Sequence, residues 1–183
     1  EDNLNPKDYE IYRIGYKEDY NNRSRRFEQL ISETKGKLSM DEFYNIKYDI
    51  QYPDQIWTPS GAAVIFEVTP SEYPRYEELI GLIQNWNHRS DTSNIGAAQW
   101  AIYYRNYLSL KKMSLSERDL ISLCLKKSKK HLMKHFGELN IQLKEYQRHS
   151  REGKELAVPG LTDQIAAMSS SPNKNGITEV HLV

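Results

Sequence analysis

Two histidines on one predicted helix are the residues of this sequence whose spacing could bind a metal ion. His131 and His135 are four positions apart, which places both imidazoles on one helix face, as in zinc proteases. The residues between them, Leu132, Met133 and Lys134, include no glutamate that could act as a general base. The pattern therefore favours two partly exposed histidines on a basic helix, and no metal ion or other cofactor is predicted.

A cluster of lysines precedes and surrounds these histidines. Such a stretch can contact phosphates, but on an amphipathic helix it is typical of a solvated face. The formal net charge of the chain is zero, whereas a nucleic-acid-binding protein normally has a basic excess. No glycine-rich phosphate loop occurs, so we expect no nucleotide partner, and the neutral charge predicts no nucleic acid partner. The G-x-S-x-G turn that carries a nucleophilic serine is also absent. The cluster consists of Lys126, Lys127, Lys129, Lys130 and Lys134.

The composition is that of one soluble domain. The 183 residues are 38% apolar and 27% charged, and no apolar run approaches the roughly 18 residues that span a membrane. Cys124 is the only cysteine, which excludes an internal disulfide and leaves both cytosol and periplasm open. The sequence starts at Glu1 with neither an initiator methionine nor a signal segment, which predicts a processed or excised piece of a longer protein.

Capping signals and apolar periodicity predict four or five helices that would position these side chains. Asn21 or Asn22 can cap a first helix, in which Phe27, Leu30 and Ile31 share one face. Further helices are predicted to begin at a capping box of Ser39 and Glu42, near Tyr76, after Asp91 to Ser93, and at a second box of Ser114 and Glu117. Residues 56–68 fit a helix or a buried strand, and their helical neighbours favour a helix.

The sequence divides into four segments of a single, mainly α domain. Residues 1–20 are predicted to be an irregular N-terminal segment and residues 21–139 a helical domain. Residues 140–175 contain glycines, prolines and a Ser/Pro/Asn/Gly stretch, which predicts a loop-rich segment. Residues 176–183 are predicted to form a short C-terminal β segment, for which the rest of the sequence offers hardly any partner strand.

Several stretches resemble the β chain of the penicillin acylase family, the N-terminal nucleophile amidohydrolases. The run Arg23-Ser24-Arg25-Arg26-Phe27-Glu28-Gln29-Leu30 resembles the R-x-x-R-aliphatic-x-x-L helix start of that chain. Asp49 falls where these proteins often carry an aspartate. Together the similar stretches cover most of residues 3–183 in a consistent order. The others are Leu38 to Asp41 (L-T/S-x-D/E), Leu82 to Asn87 (L-x-x-W-D-G, with Asn87 for Asp), Gly96 to Ala98, and Gln147 to Gly160 (Q-R-H with a later P-x-G).

The resemblance implies that this chain is an interior, helical portion of the β chain of a two-chain periplasmic or extracellular enzyme. Such an enzyme hydrolyses an amide through an acyl-enzyme on an N-terminal serine, whose own α-amino group acts as the base. That serine is absent here, so the chain alone is expected to be inactive. The implied partners are the remainder of the β chain, the α chain and a small amide substrate. A structural calcium in the parent protein would be bound by residues outside this chain.

The resemblance also assigns two site residues. Asn3, in Asn3-Leu4-Asn5-Pro6, is the candidate donor to the oxyanion; alternatively that asparagine lies upstream of Glu1 and Asn3 is a frayed terminal residue. Arg23 aligns with an arginine that holds this asparagine or contacts the substrate, a role that suits a planar five-donor fork. The competing interpretation pairs Arg23 with Asp19 or Glu28. Arg26 is predicted to be structural.

A different class of function stays open on the residues alone. The chain contains thirteen Tyr and three Trp, and the stretch from Trp100 to Tyr107 could line a pocket or an interface, although helix-core packing is favoured. The alternative function is a non-catalytic helical protein-interaction module, for which the aromatic and basic helix faces would be partner surfaces.

Overall fold

The computed structural model describes residues 21–166 and 170–180. The predicted N-terminal segment 1–20, and with it Asn3, lies outside the described residues. The described chain is mainly helical, as predicted, and none of its helices is both long and apolar enough to cross a membrane. The helices are α1 (Asn22–Glu33), α2 (Met40–Lys47), α3 (Glu77–Gln84), α4 (Ala97–Leu110), α5 (Glu117–His135) and α6 (Leu143–Tyr146), with short 3-10 helices at Ala62–Phe66 and Pro70–Glu72.

Two of the predicted helix starts are confirmed by their hydrogen bonds. Asn21 caps α1, and its Oδ1 accepts from the backbone N–H of Ser24 at 2.9 Å. Ser39 and Glu42 form the capping box of α2: the Glu42 N–H donates to Ser39 Oγ at 3.2 Å, and the Ser39 N–H donates to Glu42 Oε2 at 2.7 Å. The donors of Ser39 also lower the pKa of the Glu42 carboxyl.

The start predicted near Tyr76 is also confirmed, because Tyr76 directly precedes α3. Two further starts are wrong by a few residues. α5 is capped by Ser116, whose Oγ accepts from the Asp119 N–H at 3.2 Å, because a second Ser-x-x-acid motif overlaps the Ser114 box. α4 begins at Ala97, later than the predicted Asp91 to Ser93, and Gly96 precedes it with a φ of 97°. The buried Gln99 explains that start: its Oε1 accepts from the Gly96 N–H at 2.8 Å, and its Nε2 donates to Ile141 O at 3.1 Å.

The core lies between α3, α4 and α5. The aromatic stretch on α4 contributes Trp100 and Tyr103, both almost fully buried, which agrees with the favoured core interpretation. Tyr104, one turn after Trp100, stacks on it at a centroid distance of 5.3 Å and is only half-buried. Cys124 is buried in the same core, and burial raises the pKa of its thiol to about 11. The largest fully buried aliphatic side chains are Ile65, Leu79, Ile80, Ile83, Ile121, Leu125, Leu132, Ile141 and Leu143.

A small sheet replaces much of the predicted loop-rich segment. β1 (Gln147–Arg151) and β2 (Lys154–Ala157) form an antiparallel hairpin, while β3 (Ser170–Pro172) pairs antiparallel with β4 (Thr178–Val180). β4 confirms the predicted C-terminal strand over its described part, and residues 181–183 lie outside the described residues. β4 lies between β3 and β1 in the strand order β2-β1-β4-β3, and it runs parallel to β1. The strands have three to five residues, too short for a clear alternating pattern.

The hairpin turn also lacks the usual sequence signal. Glu152 and Gly153 both have positive φ, 52° and 77°, as a type I′ turn requires. The preferred first residues of such a turn are Asn, Asp and Gly. Because Glu152 occupies that position, the sequence does not predict the turn. The segment 56–68, predicted to be helical, contributes only the short 3-10 helix at residues 62–66.

The first two helices expose much of their apolar surface. On α1, Phe27 and Ile31 are 37% and 38% exposed, while the polar residues Asn22, Ser24 and Arg26 are buried. On α2 only Ile46 is buried, and four large apolar or aromatic side chains are more than a third exposed. The polar side of α1 therefore faces the protein, which is the reverse of an ordinary amphipathic helix. The exposed side chains at α2 are Met40, Phe43, Tyr44 and Tyr48.

Gly96 is expected to be the least replaceable glycine of the helical part. A Cβ there would lie 2.5 Å from Trp86 Cβ and 2.8 Å from Leu82 O, in addition to the φ of 97°. We expect Gly96→Ala to lower the free energy of unfolding in urea by about 3 kcal/mol. Gly36→Ala is the matched control, because Gly36 has a φ of 86° but no heavy atom within 4 Å of the added Cβ. It should cost about 1 kcal/mol, and equal losses at both positions would contradict the steric argument.

Candidate functional site

Arg23 lies in the first turn of α1, at the point where four segments of the chain meet. The segments are α1 itself, residues 49–58, residues 88–91 and residues 161–166. We refer to this place as the α1 junction. It comprises Asn22, Arg23, Arg26, Asp49, Gln51, Asp163 and Gln164.

Asn22 connects α1 to two distant segments. Its side chain pairs with the backbone of Trp57 in both directions, since Nδ2 donates to Trp57 O at 2.7 Å and Oδ1 accepts from the Trp57 N–H at 2.8 Å. Nδ2 also donates to Asp163 Oδ2 at 2.7 Å, and the Asn22 N–H reaches the same oxygen at 3.2 Å. A buried amide with these partners satisfies its polar atoms and fixes the start of α1.

Arg23 is held by the segment that contains Asp163. Its Nε donates to the backbone oxygen of Gln164 at 3.1 Å, and the side chain is half-buried. Gln164 is itself fixed, because its Oε1 accepts from Ser90 Oγ at 2.6 Å and its Nε2 donates to Ile50 O at 2.9 Å. The guanidinium of Arg23 is therefore oriented by an acceptor that does not move freely.

Arg26 forms the buried ion pair of the junction. Its Nε and Nη2 donate to the two oxygens of Asp49 at 3.2 and 3.1 Å, and the two side chains are only 10% and 9% exposed. Asp49 Oδ1 also accepts from the Gln51 N–H at 3.0 Å. This bidentate geometry agrees with the predicted structural role of Arg26.

Asp163 combines a left-handed backbone conformation with a buried carboxyl group. Its φ is 66°, in the left-handed region that non-glycine residues rarely occupy. Burial raises the pKa of its carboxyl, and the hydrogen bonds from Asn22 and the Arg23 cation only partly oppose this effect. Asp163 therefore lies between a buried amide and a cation, in a position where its ionised form is costly.

The junction orients the guanidinium of Arg23, but its serine hydroxyls are engaged in structural hydrogen bonds. Ser24 Oγ lies 3.1 Å from Asn21 Oδ1, and Ser90 Oγ donates to Gln164 Oε1. Within residues 21–166 and 170–180, no histidine is hydrogen-bonded to either serine hydroxyl as in an activated nucleophile. What the arrangement supplies chemically is a fixed positive charge with directed donors.

A cavity of about 400 Å³ adjoins the junction. Arg25 lies 5.8 Å above the Trp57 ring, and the His88 ring contacts Phe66 at a centroid distance of 5.3 Å. His88 has a φ of 61°, and burial lowers its pKa, with Asp54 opposing. The sequence analysis did not predict this cavity. One of its lining residues, His88, has a left-handed backbone conformation, which has no signature in a single sequence.

The histidine pair predicted on α5 does lie on one face. The rings of His131 and His135 are 4.7 Å apart, and His131 Nε2 lies 3.0 Å from Gly176 O beside the sheet. Burial lowers the pKa of His131. Among the described residues no group of three or more His, Cys, Asp or Glu side chains could hold a metal ion.

The sequence matches no protein-family model and none of the curated proteins. The resemblance to the penicillin acylase family stays a prediction from the residues quoted above. Of the two residues assigned from it, Arg23 lies in the α1 junction and Asn3 lies outside the described residues.

Removing the charge of Asp49 is expected to weaken the whole junction. Asp49→Asn leaves the buried Arg26 cation without its partner, so the free energy of unfolding in urea should fall by about 3 kcal/mol. Asp91→Asn is the matched control: Asp91 pairs with Arg89 at 3.0 Å, but both side chains are 42% exposed. That change should cost less than about 1 kcal/mol. A loss at Asp49 no larger than at Asp91 would refute a buried, essential pair.

Asp163 should give the stability a pH dependence of known sign. Because the pKa of the folded carboxyl is raised above 3.8, its stabilising contribution is complete below the unfolded pKa and is lost as the pH rises through the folded pKa. Asp163→Asn keeps an acceptor for Asn22 and tolerates positive φ, so at pH 7 it should be at least as stable as the native chain.

The native chain should gain on Asp163→Asn as the pH falls from about 7 to about 4. Asp163→Ala leaves the Asn22 N–H and one Nδ2 hydrogen without their acceptor and should lose about 1 to 3 kcal/mol at pH 7. Urea unfolding of the three proteins at several pH values measures both effects. Equal losses for the asparagine and alanine variants at pH 7 would contradict the assignment.

Proposed function

We propose that this chain is the helical part of the β chain of a penicillin acylase-like amidohydrolase. The complete enzyme hydrolyses an amide by transferring the acyl group to an N-terminal serine and then to water. The nucleophile is supplied outside this chain, in an enzyme exported to the periplasm or the cell exterior. Within this proposal the chain contributes Arg23 and the helices that support it.

The observation that carries the proposal is the geometry of the two arginines in the R-x-x-R pattern. Arg26 forms the buried ion pair with Asp49. The position of Asp49 is one where the family often has an aspartate. Arg23, three residues before Arg26, is half-buried and is held through its Nε by Gln164 O. The first arginine is thus oriented at the edge of the junction and the second fixes the helix beneath it, as a supporting and a structural arginine should be.

The turn after α3 adds independent support. The resembling stretch reads W-D-G in the family and Trp86-Asn87-His88 here. His88 has a φ of 61°, the backbone conformation that a glycine at this place adopts most easily. A positive φ at His88 is compatible with the glycine of the family pattern and supports the proposal to that extent.

In the proposed mechanism Arg23 acts through orientation. Its guanidinium is positively charged and offers several donors in one plane. Such a group can hold the side chain that stabilises the tetrahedral oxyanion, or bind the substrate itself. For Asn3 as that oxyanion donor, the proposal is supported by the sequence pattern alone.

A non-catalytic interaction module is the second candidate, and one observation favours it. The four exposed apolar and aromatic side chains at α2 form a surface of the kind that usually contacts another protein. In the acylase proposal the same surface is covered by the rest of the enzyme. Catalytic activity that depends on Arg23 separates the two candidates.

Replacing Arg23 in the complete precursor should reduce hydrolysis of an amide substrate. Arg23→Ala is expected to lower kcat/KM at least tenfold, which corresponds to about 1.4 kcal/mol of lost transition-state stabilisation. Arg23→Lys should recover only part of it, because one ammonium cannot replace the fork. Lys37→Ala, at an exposed position after α1, is the charge-matched control. If kcat/KM of the Arg23→Ala variant equals that of the native enzyme and of Lys37→Ala, the proposal is contradicted.

A further inference from the structure

A second cavity, of about 180 Å³, lies between the outer side of α4, the start of β1 and residues 161–162. Four of its ten lining residues are aromatic, and two of these, Tyr52 and Trp100, form its inner side. Leu108, which is 44% exposed, lies at its edge, so the cavity opens to solvent on that side. Tyr104 and Tyr146 complete the aromatic lining.

The volume sets the size of a ligand. An apolar cavity of about 150 Å³ inside a protein accepts one benzene molecule. The cavity here is about 180 Å³ and has aromatic walls, so it accommodates one ring with a small substituent.

The positive charge of Arg105 favours a negatively charged substituent on the ligand. Of the described residues that line the cavity, Arg105 alone is charged. Its Nη2 donates to Thr178 Oγ1 at 3.2 Å, and its Cζ lies 5.7 Å from the centroid of the Tyr146 ring. These contacts orient the guanidinium, whose fork matches the two oxygens of a carboxylate. The cavity beside His88 differs in this respect, because Asp54 and Glu67 accompany Arg25 there.

The hydroxyl of Tyr146 lies close to Arg105 and Thr178. Tyr146 is 1% exposed, and its OH is buried without a hydrogen-bond partner in the described part of the chain. Arg105 and Thr178 lie near enough to favour the ionised phenol, but burial dominates and raises the pKa of Tyr146. Burial therefore keeps the phenol protonated beside Arg105 and Thr178.

We propose that this cavity binds a small carboxylate that carries one planar ring, with the ring between the aromatic walls and the carboxylate on Arg105. The site is separate from Arg23, and it does not depend on the proposed amidohydrolase activity. It nevertheless borders the α1 junction, because the Tyr52 hydroxyl donates to Thr162 O, next to Asp163.

The test is a titration of the 183-residue chain followed by fluorine NMR of the ligand. The probes are 4-fluorobenzoate and the neutral 4-fluorobenzyl alcohol. The native chain should bind 4-fluorobenzoate saturably, and Arg105→Gln should weaken that binding about tenfold or more while the alcohol binds as before. Lys112→Gln removes one exposed charge beyond the end of the same helix and should leave both affinities unchanged.

A second variant tests the cavity independently of the charge. Ala101 lines it, so Ala101→Leu should fill it and abolish binding of both probes. Circular dichroism verifies the helical content of each variant, and the neutral Arg105→Met replaces Arg105→Gln if the latter unfolds. No saturable binding of 4-fluorobenzoate by the native chain below about 10 mM would overturn the proposal. Equal affinity in the Arg105 variant, or binding that survives Ala101→Leu, would also overturn it.

Discussion

The buried ion pair between Arg26 and Asp49 is the interaction around which the α1 junction is built. Its two charges are almost completely removed from water, so each depends on the other and on Gln51 for compensation. The pair draws the polar side of α1 against residues 49–51. Asn22 and Arg23 then reach Asp163 and Gln164, more than a hundred residues later in the chain.

This inward polar side determines what α1 shows to its surroundings. Phe27 and Ile31 lie on the outer surface, close in sequence to the exposed aromatic residues of α2. An apolar surface of this kind is costly in water and commonly contacts another protein. The same constraint therefore orients Arg23 and leaves an apolar surface free for a neighbouring chain, which the proposed multi-chain enzyme would supply.

Local signals in the sequence were sufficient where one side chain meets its own backbone. Asn21 and the Ser39–Glu42 box were predicted correctly, because a cap involves residues only three positions apart. The predictions at Ser114 and at Asp91 to Ser93 failed for different reasons. Two capping motifs overlap at the first, and at the second the start of α4 is decided by Gln99 through its contacts with residues 139 and 141. The sheet was missed because its strands are short and its turn begins with Glu152.

By itself, the sequence determined the mainly helical character, the capped starts of α1 and α2, the C-terminal strand and the choice of Arg23 as a residue of interest. These depend on neighbours along the chain and on a recognisable pattern. Only the tertiary structure decided that Arg23 meets Gln164, that Arg26 pairs with Asp49, and that Arg105, Trp100 and Tyr146 enclose one cavity. The reason is physical: burial, charge compensation and cavity shape arise from residues that are distant in sequence, and no local periodicity records which of them will meet.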